Sequence, residues 1–126
     1  MDTERKYKIF IVDDEPSITK LLEYKLKSVG FEVRTFNSPE SIVNEIIEVK
    51  PDLLISDVMM PYIDGIELLK RIRTNPVISD IPVILITSLG HEEAVLRGLE
   101  AGATDYMTKP FSTAEVILRV KKALMR

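Results

Sequence analysis

Residues 51–57 read PDLLISD, and this stretch decides the fold. Pro51 interrupts the helical pattern before it, because proline lacks an N–H and keeps its predecessor out of helical geometry. Leu53, Leu54 and Ile55 follow with no polar residue between them. A strand with one wet face alternates apolar and polar side chains. A run that is apolar on both faces belongs inside a parallel sheet covered by helices on each side. The run ends at Asp57, and a loop with Pro61 and Gly65 leads to a helix carrying Ile66, Leu69 and Ile72.

Toward the N-terminus, Tyr7 to Val12 is another short apolar run, stopped by Asp13-Asp14-Glu15. Pro16 suits a first helical turn. Ile18, Leu21, Leu22, Leu26 and Val29 then recur at helical spacing up to Gly30, a helix terminator. Glu32 to Phe36 is β-branched and aromatic. Ser38-Pro39 reads as a cap and first-turn proline before the stripe Ile42, Val43, Ile46 and Ile47. Toward the C-terminus, Val83 to Ile86 is a second continuous apolar strand ending at Thr87-Ser88. Residues from Glu92 to Leu99 suit a helix closed by Gly102, and a short strand around Tyr106 and Met107 runs into Lys109-Pro110. Ser112 with Glu115 is a capping box opening a last helix through Ile117, Val120 and Leu124.

Five strand–helix pairs in alternation imply right-handed parallel βαβ units with helices on both faces of one sheet. The expected fold is α/β, one doubly wound five-stranded parallel sheet in order 2-1-3-4-5. This is a flavodoxin-like (βα)5 three-layer sandwich, occupying residues 1–126 as one domain. Seventeen Lys plus Arg against twenty Asp plus Glu give a net charge of -3, which supplies no footprint for direct nucleic-acid binding. Cysteine is absent, so disulfides and thiolate metal sites are excluded. Residues 1–8 are charged and lead into no signal-peptide h-region, and no apolar run reaches bilayer length. A cytoplasmic protein is expected, with no membrane contact.

In a doubly wound sheet, ligands bind beyond the carboxyl ends of the strands where strand order reverses. Those ends carry Asp13 and Asp14, Asp57, Thr87 and Ser88, and Lys109 follows the fifth strand. Three clustered carboxylates repel one another unless a cation intervenes. Hard oxygen donors without Cys or a His cluster favour Mg²⁺, with Mn²⁺ as a substitute. Phosphoryl transfer needs a nucleophile, cations on the phosphoryl oxygens and little else. A carboxylate is a known covalent phosphoryl acceptor, and Asp57, ending the central buried strand, is the candidate nucleophile.

The segments IFIVDDEP (9–16), PDLLISDVMMPYIDGIELLKRIR (51–73), IPVILITS (81–88) and GLEAGATDYMTKPF (98–111) together resemble the bacterial response regulator receiver domain of the chemotaxis-regulator type. The resemblance implies that Asp57 is the phosphoacceptor, in a two-component system. It implies Asp14 and the Met59 carbonyl as Mg²⁺ ligands beside Asp57, with Asp13 acting through water. It further implies Thr87 as the phosphoryl-binding hydroxyl, Lys109 as the ion-pairing lysine, Tyr106 as the aromatic switch, and a cis Lys109-Pro110 bond. The partners implied are a sensor histidine kinase or phosphotransfer protein, and a downstream effector protein or fused output domain. Asp105 and Arg119 resemble part of the charged set that pairs receivers of DNA-binding regulators into phosphorylation-dependent homodimers, although Thr104 replaces an acidic member of that set. Leu89, with the Met59 side chain, holds a position expected to shape water access, and His91 reads as a solvated surface residue. The chain ends at Arg126, so no output domain is expected within it.

Rival readings are a phosphate-independent receiver-like interaction module and an aspartyl-phosphate phosphatase. The first predicts loss of the acceptor or the lysine, and both are present. The second needs a capping domain or substrate pocket, which so short a chain does not suggest. No G-x-x-x-x-G-K-[ST] loop follows the first strand, which disfavours a nucleotide switch. A flavin would meet an acidic turn where its phosphate belongs.

Overall fold

The computed structural model describes residues 6–38, 42–60, 64–88 and 92–125. The expectations for Pro39, Pro61, Leu89 and His91 lie outside the described residues. Five strands alternate with five helices: β1 (Lys8–Val12), α1 (Pro16–Ser28), β2 (Glu32–Phe36), α2 (Ile42–Val49), β3 (Leu53–Asp57), α3 (Gly65–Thr74), β4 (Val83–Ser88), α4 (Glu92–Glu100), β5 (Asp105–Lys109) and α5 (Thr113–Leu124). The strands form one parallel sheet in the order β2-β1-β3-β4-β5.

Alternate residues of each central strand serve opposite cores, which is why these strands read as apolar throughout. Phe10, Val12, Leu54, Val83 and Leu85 pack on α2, α3 and α4. Ile9, Ile11, Leu53, Ile55, Ile84 and Ile86 pack on α1 and α5. All five residues of β3 are buried, including Ser56 and Asp57. Each fully buried aliphatic side chain contributes about 1.5–3 kcal/mol, so the sheet has ample support for an unfavourable polar edge.

The α1 repeat is only partly buried. Leu21 and Val29 are exposed, and Thr19 is buried with Leu22 and Leu26. The Thr19 hydroxyl donates to the Pro16 carbonyl and accepts from Asn37 Nδ2, so its polar atom is satisfied and the methyl packs inward. Gly65, read as loop, is the first residue of α3, after the Asp64 cap whose carboxylate accepts from the Glu67 N–H. Gly30 and Gly102 stand at positive φ just past α1 and α4, where a side chain would be strained.

Gly65 fixes how closely α3 approaches the end of β3. Its N–H donates to the Val58 carbonyl at 2.8 Å. A Cβ there would strike the Asp57 carbonyl oxygen and lie 3.0 Å from the Asp57 carbonyl carbon and Val58 Cα. No flexible side chain can yield, because the obstacle is backbone. We expect Gly65→Ala to destabilise the fold by about 1–3 kcal/mol by overpacking, measured by urea unfolding. An unchanged midpoint would show that α3 is free to recede.

Candidate functional site

Register brings the strand ends together. Val12 pairs with Ser56 and Asp57 with Ile86, so Asp13 and Thr87 each lie one residue beyond a pairing that flanks Asp57. Ser88 pairs with Lys109, which carries the ammonium to the same edge. One carboxylate oxygen from each of Asp13, Asp14 and Asp57 lies within 4.8 Å of the others. Asp13 and Asp57 are buried and Asp14 is exposed.

Asp13 is tied down on three sides. Its N–H donates to the Phe36 carbonyl, its own carbonyl accepts from Asn37 Nδ2, and its Oδ1 accepts from the Glu15 N–H at 2.9 Å. Its Oδ2 is buried without a hydrogen-bond partner. The Lys109 ammonium stands 3.1 Å from that oxygen, meeting it as a charge rather than through a directed hydrogen bond. Asp57 Oδ1 accepts from the Met59 N–H at 3.3 Å, and Asp57 Oδ2 lies 3.4 Å from Lys109 Nζ. A buried carboxylate oxygen met by one ammonium, beside two further carboxylates, is a donor set that a hard divalent cation suits.

Burial is the largest influence on the Asp57 carboxyl, and the Asp13 charge adds to it. Lys109 and the Met59 N–H oppose them, and the pKa is raised from 3.8 to about 6. Burial lowers the Lys109 pKa. The contacts with Glu15 and Asp13 and the charges of Asp57 and Asp13 outweigh that, holding it above the usual lysine range. Lys109 is therefore a permanent cation among acids.

Thr87 is buried, and among the described residues its hydroxyl has only a long 3.5 Å contact to the Ser88 carbonyl. Tyr106 is exposed on β5, and the Lys109-Pro110 peptide is cis. Arg119 does not stand free: its Nη1 bonds both Asp105 oxygens at 2.9 Å, and its Nε bonds Glu115 at 3.1 Å. Thr104 has a structural task, its hydroxyl accepting from the Val83 N–H at 3.0 Å. Two contributors escaped the sequence reading. Glu15 Oε1 bonds Lys109 Nζ at 3.0 Å, and Asn37 braces the Asp13 backbone. Adjacency to Asp13-Asp14 was the available signal for Glu15; nothing local marked Asn37.

The model of the response regulator receiver domain matches residues 9–121. The chain belongs to this family. The phosphate regulon transcriptional regulatory protein PhoB of Rhizobium meliloti (strain 1021) is 44% identical over 119 residues, covering 94% of this chain and 52% of that protein. The receiver spans about half the length of the curated relatives it matches. Among solved structures, the chemotaxis response regulator CheY4 of Vibrio cholerae superposes with a TM-score of 0.88 at 28% identity, covering 95% of this chain and 100% of that one. The BeF3-activated DrrB receiver domain has a TM-score of 0.84 at 40% identity, covering 97% and 100%. The five-stranded order and the acidic cluster agree with this membership, which favours a phosphoacceptor receiver over the phosphate-independent module.

The raised Asp57 pKa has a consequence for stability. The folded chain holds this proton more tightly than the unfolded chain does. Stability therefore falls as pH rises from about 4 to 6 and stays reduced above that. In chelator, Asp57→Asn is expected to be more stable than the parent at pH 8 by roughly 1–3 kcal/mol. The advantage should close as the pH falls toward 4. Urea unfolding at both pH values checks this; an equal advantage at both would mean that the buried charge is not its source.

Proposed function

We propose that residues 1–126 are one receiver domain of a two-component system, with Asp57 as the acceptor of a phosphoryl group from a histidine kinase or phosphotransfer protein. The observation that carries this reading is the Asp57 carboxylate at the end of β3, buried and 3.4 Å from Lys109. An Asp57 oxygen forms the new O–P bond as the donor's P–N bond breaks, and the departing imidazole takes its proton from solvent. Lys109 neutralises phosphoryl oxygens, and Thr87, whose hydroxyl is only loosely engaged, is available to donate to one of them. The domain supplies the transfer site for its own phosphorylation and dephosphorylation and turns over no external substrate.

Asp14, Asp57 and the Met59 carbonyl would hold Mg²⁺, or Mn²⁺ in its place, with Asp13 acting through water. The ion supplies charge neutralisation at the phosphoryl oxygens. On this reading Thr87 moves toward the phosphoryl group and Tyr106 turns inward, changing the α4-β5-α5 face that meets an effector protein or output domain. A cytoplasmic location follows from a kinase partner; among the described residues no helix is long and apolar enough to cross a membrane.

Incubation with Mg²⁺ and acetyl phosphate should add one phosphoryl mass to the intact protein, lost with Asp57→Asn or with chelator. Absence of an adduct, together with no response to beryllofluoride and Mg²⁺, would leave the phosphate-independent module as the better reading.

The α4-β5-α5 face would also serve a phosphorylation-dependent homodimer through Asp105 and Arg119. These two already pair within one chain, so dimerisation has to exchange that pair across the interface. Sedimentation velocity should show a monomer without and a dimer with beryllofluoride and Mg²⁺; an unchanged monomer would eliminate it.

A further inference from the structure

Glu15 occupies the N-cap position of α1, where a short polar side chain ordinarily accepts a hydrogen bond from the first helical turn. Its carboxylate makes no such bond. It reaches instead across the sheet edge to a residue 94 positions away, meeting Lys109 Nζ at 3.0 Å. This is the shortest of the three acidic contacts to that ammonium, ahead of Asp13 at 3.1 Å and Asp57 at 3.4 Å. Asp13 and Asp57 are buried and fixed by backbone N–H groups, whereas the Glu15 side chain is 57% exposed. Of the three carboxylates it is the one that can come and go.

We propose that Glu15 is a positioning residue that competes for Lys109 and thereby slows the uptake of a phosphoryl group by Asp57. The inference rests on the phosphoacceptor reading above. An ammonium has three donors, and here three carboxylates surround it. A phosphoryl group arriving at Asp57 brings oxygens that need those donors. While Glu15 holds one, the cation is partly neutralised and has one donor fewer for the incoming charge. Release of Glu15 leaves Lys109 in place, because Asp13 and Asp57 still flank it, and frees a donor for the transition state.

Two substitutions separate this competition from the simple repulsion of an anionic donor by a nearby carboxylate. Glu15→Gln removes the charge. Glu15→Asp keeps the charge, but its shorter side chain favours the first turn of α1 as a cap and gives up Lys109. Phosphorylation by acetyl phosphate and Mg²⁺ is followed by intact mass against time, at fixed pH and ionic strength, beside thermal midpoints. Both variants should react about two- to fivefold faster than the parent, the range of one partly exposed ion pair. The Glu15→Asp midpoint should equal or exceed the parent's. A gain confined to Glu15→Gln would assign the effect to donor repulsion and overturn the proposal. So would unchanged or slower rates in both variants, or faster rates with lowered midpoints in both. If the parent itself gains no phosphoryl mass, the phosphoacceptor reading fails and this inference fails with it. Normal labelling of the parent with indifference to both substitutions defeats the inference alone.

Discussion

One ammonium faces three carboxylates at the carboxyl edge of the sheet, and the rest of the fold holds that arrangement in place. Lys109 touches Asp13, Glu15 and Asp57, while Asp14 adds a further acid to the cluster. Two like charges within 4.8 Å of each other repel by at least about 3 kcal/mol at an effective dielectric of 20, and burial adds to the cost of keeping Asp57 ionised. No local interaction would assemble such a set. Parallel register does so, because β1 ends beside Ser56, β3 ends at Asp57 opposite Ile86, and their buried runs cannot slip without moving a core side chain to the wrong face. The two apolar layers on either side of β3 supply the stability that the edge subtracts.

Much of this was legible in the sequence because it depends on periodicity and punctuation. The boundaries of β3 and β4 coincide with the apolar runs and those of β2 with its β-branched and aromatic stretch, and Ser112 accepts from the Glu115 N–H as the capping pattern implies. Strand order followed from the topology rules for alternating strands and helices, and with it the convergence of Asp13, Asp14, Asp57, Thr87 and Lys109. The errors lie where a helix face is shared between core and solvent. Leu21 and Val29 fit the α1 period yet stay exposed, while Thr19 is buried because Pro16 and Asn37 satisfy its hydroxyl. Hydrophobicity ranks residues; it does not say which polar atom finds a partner.

Glu15 and Asn37 were not legible for a related reason. Their roles depend on side-chain direction across the sheet, between residues separated by 94 and 24 positions. A glutamate next to two aspartates reads as one more charge in a polar turn. Only the path of its side chain, away from the α1 backbone and onto Lys109, distinguishes it from a solvated acid. Arg119 shows the reverse. Its sequence position suggests a charge offered to a second chain, whereas Asp105 and Glu115 engage it within its own, with the Asp105 hydrogen bonds foremost in holding its pKa above the usual value.

The proposed switch is constrained by arithmetic. On that proposal a phosphoryl oxygen would offer the Thr87 hydroxyl a charge-assisted hydrogen bond in place of a 3.5 Å contact to the Ser88 carbonyl. Such a bond contributes about 1.5–3 kcal/mol, which shifts a two-state equilibrium by roughly ten- to a hundredfold. That is too little to create an active arrangement from one that is never visited. It is sufficient where the active form is already about one part in a hundred to one in ten. The resting structure is consistent with such a poised state. Thr87 is loosely bonded, and Tyr106 sits exposed on the edge strand, paired in register with Leu85 only two residues before Thr87. On the proposed reading, the same weak hold that leaves Thr87 ready for a phosphoryl oxygen also keeps the inactive state from being too stable to leave. Signalling by this route requires a site held loosely, just beyond the ends of strands that are held firmly.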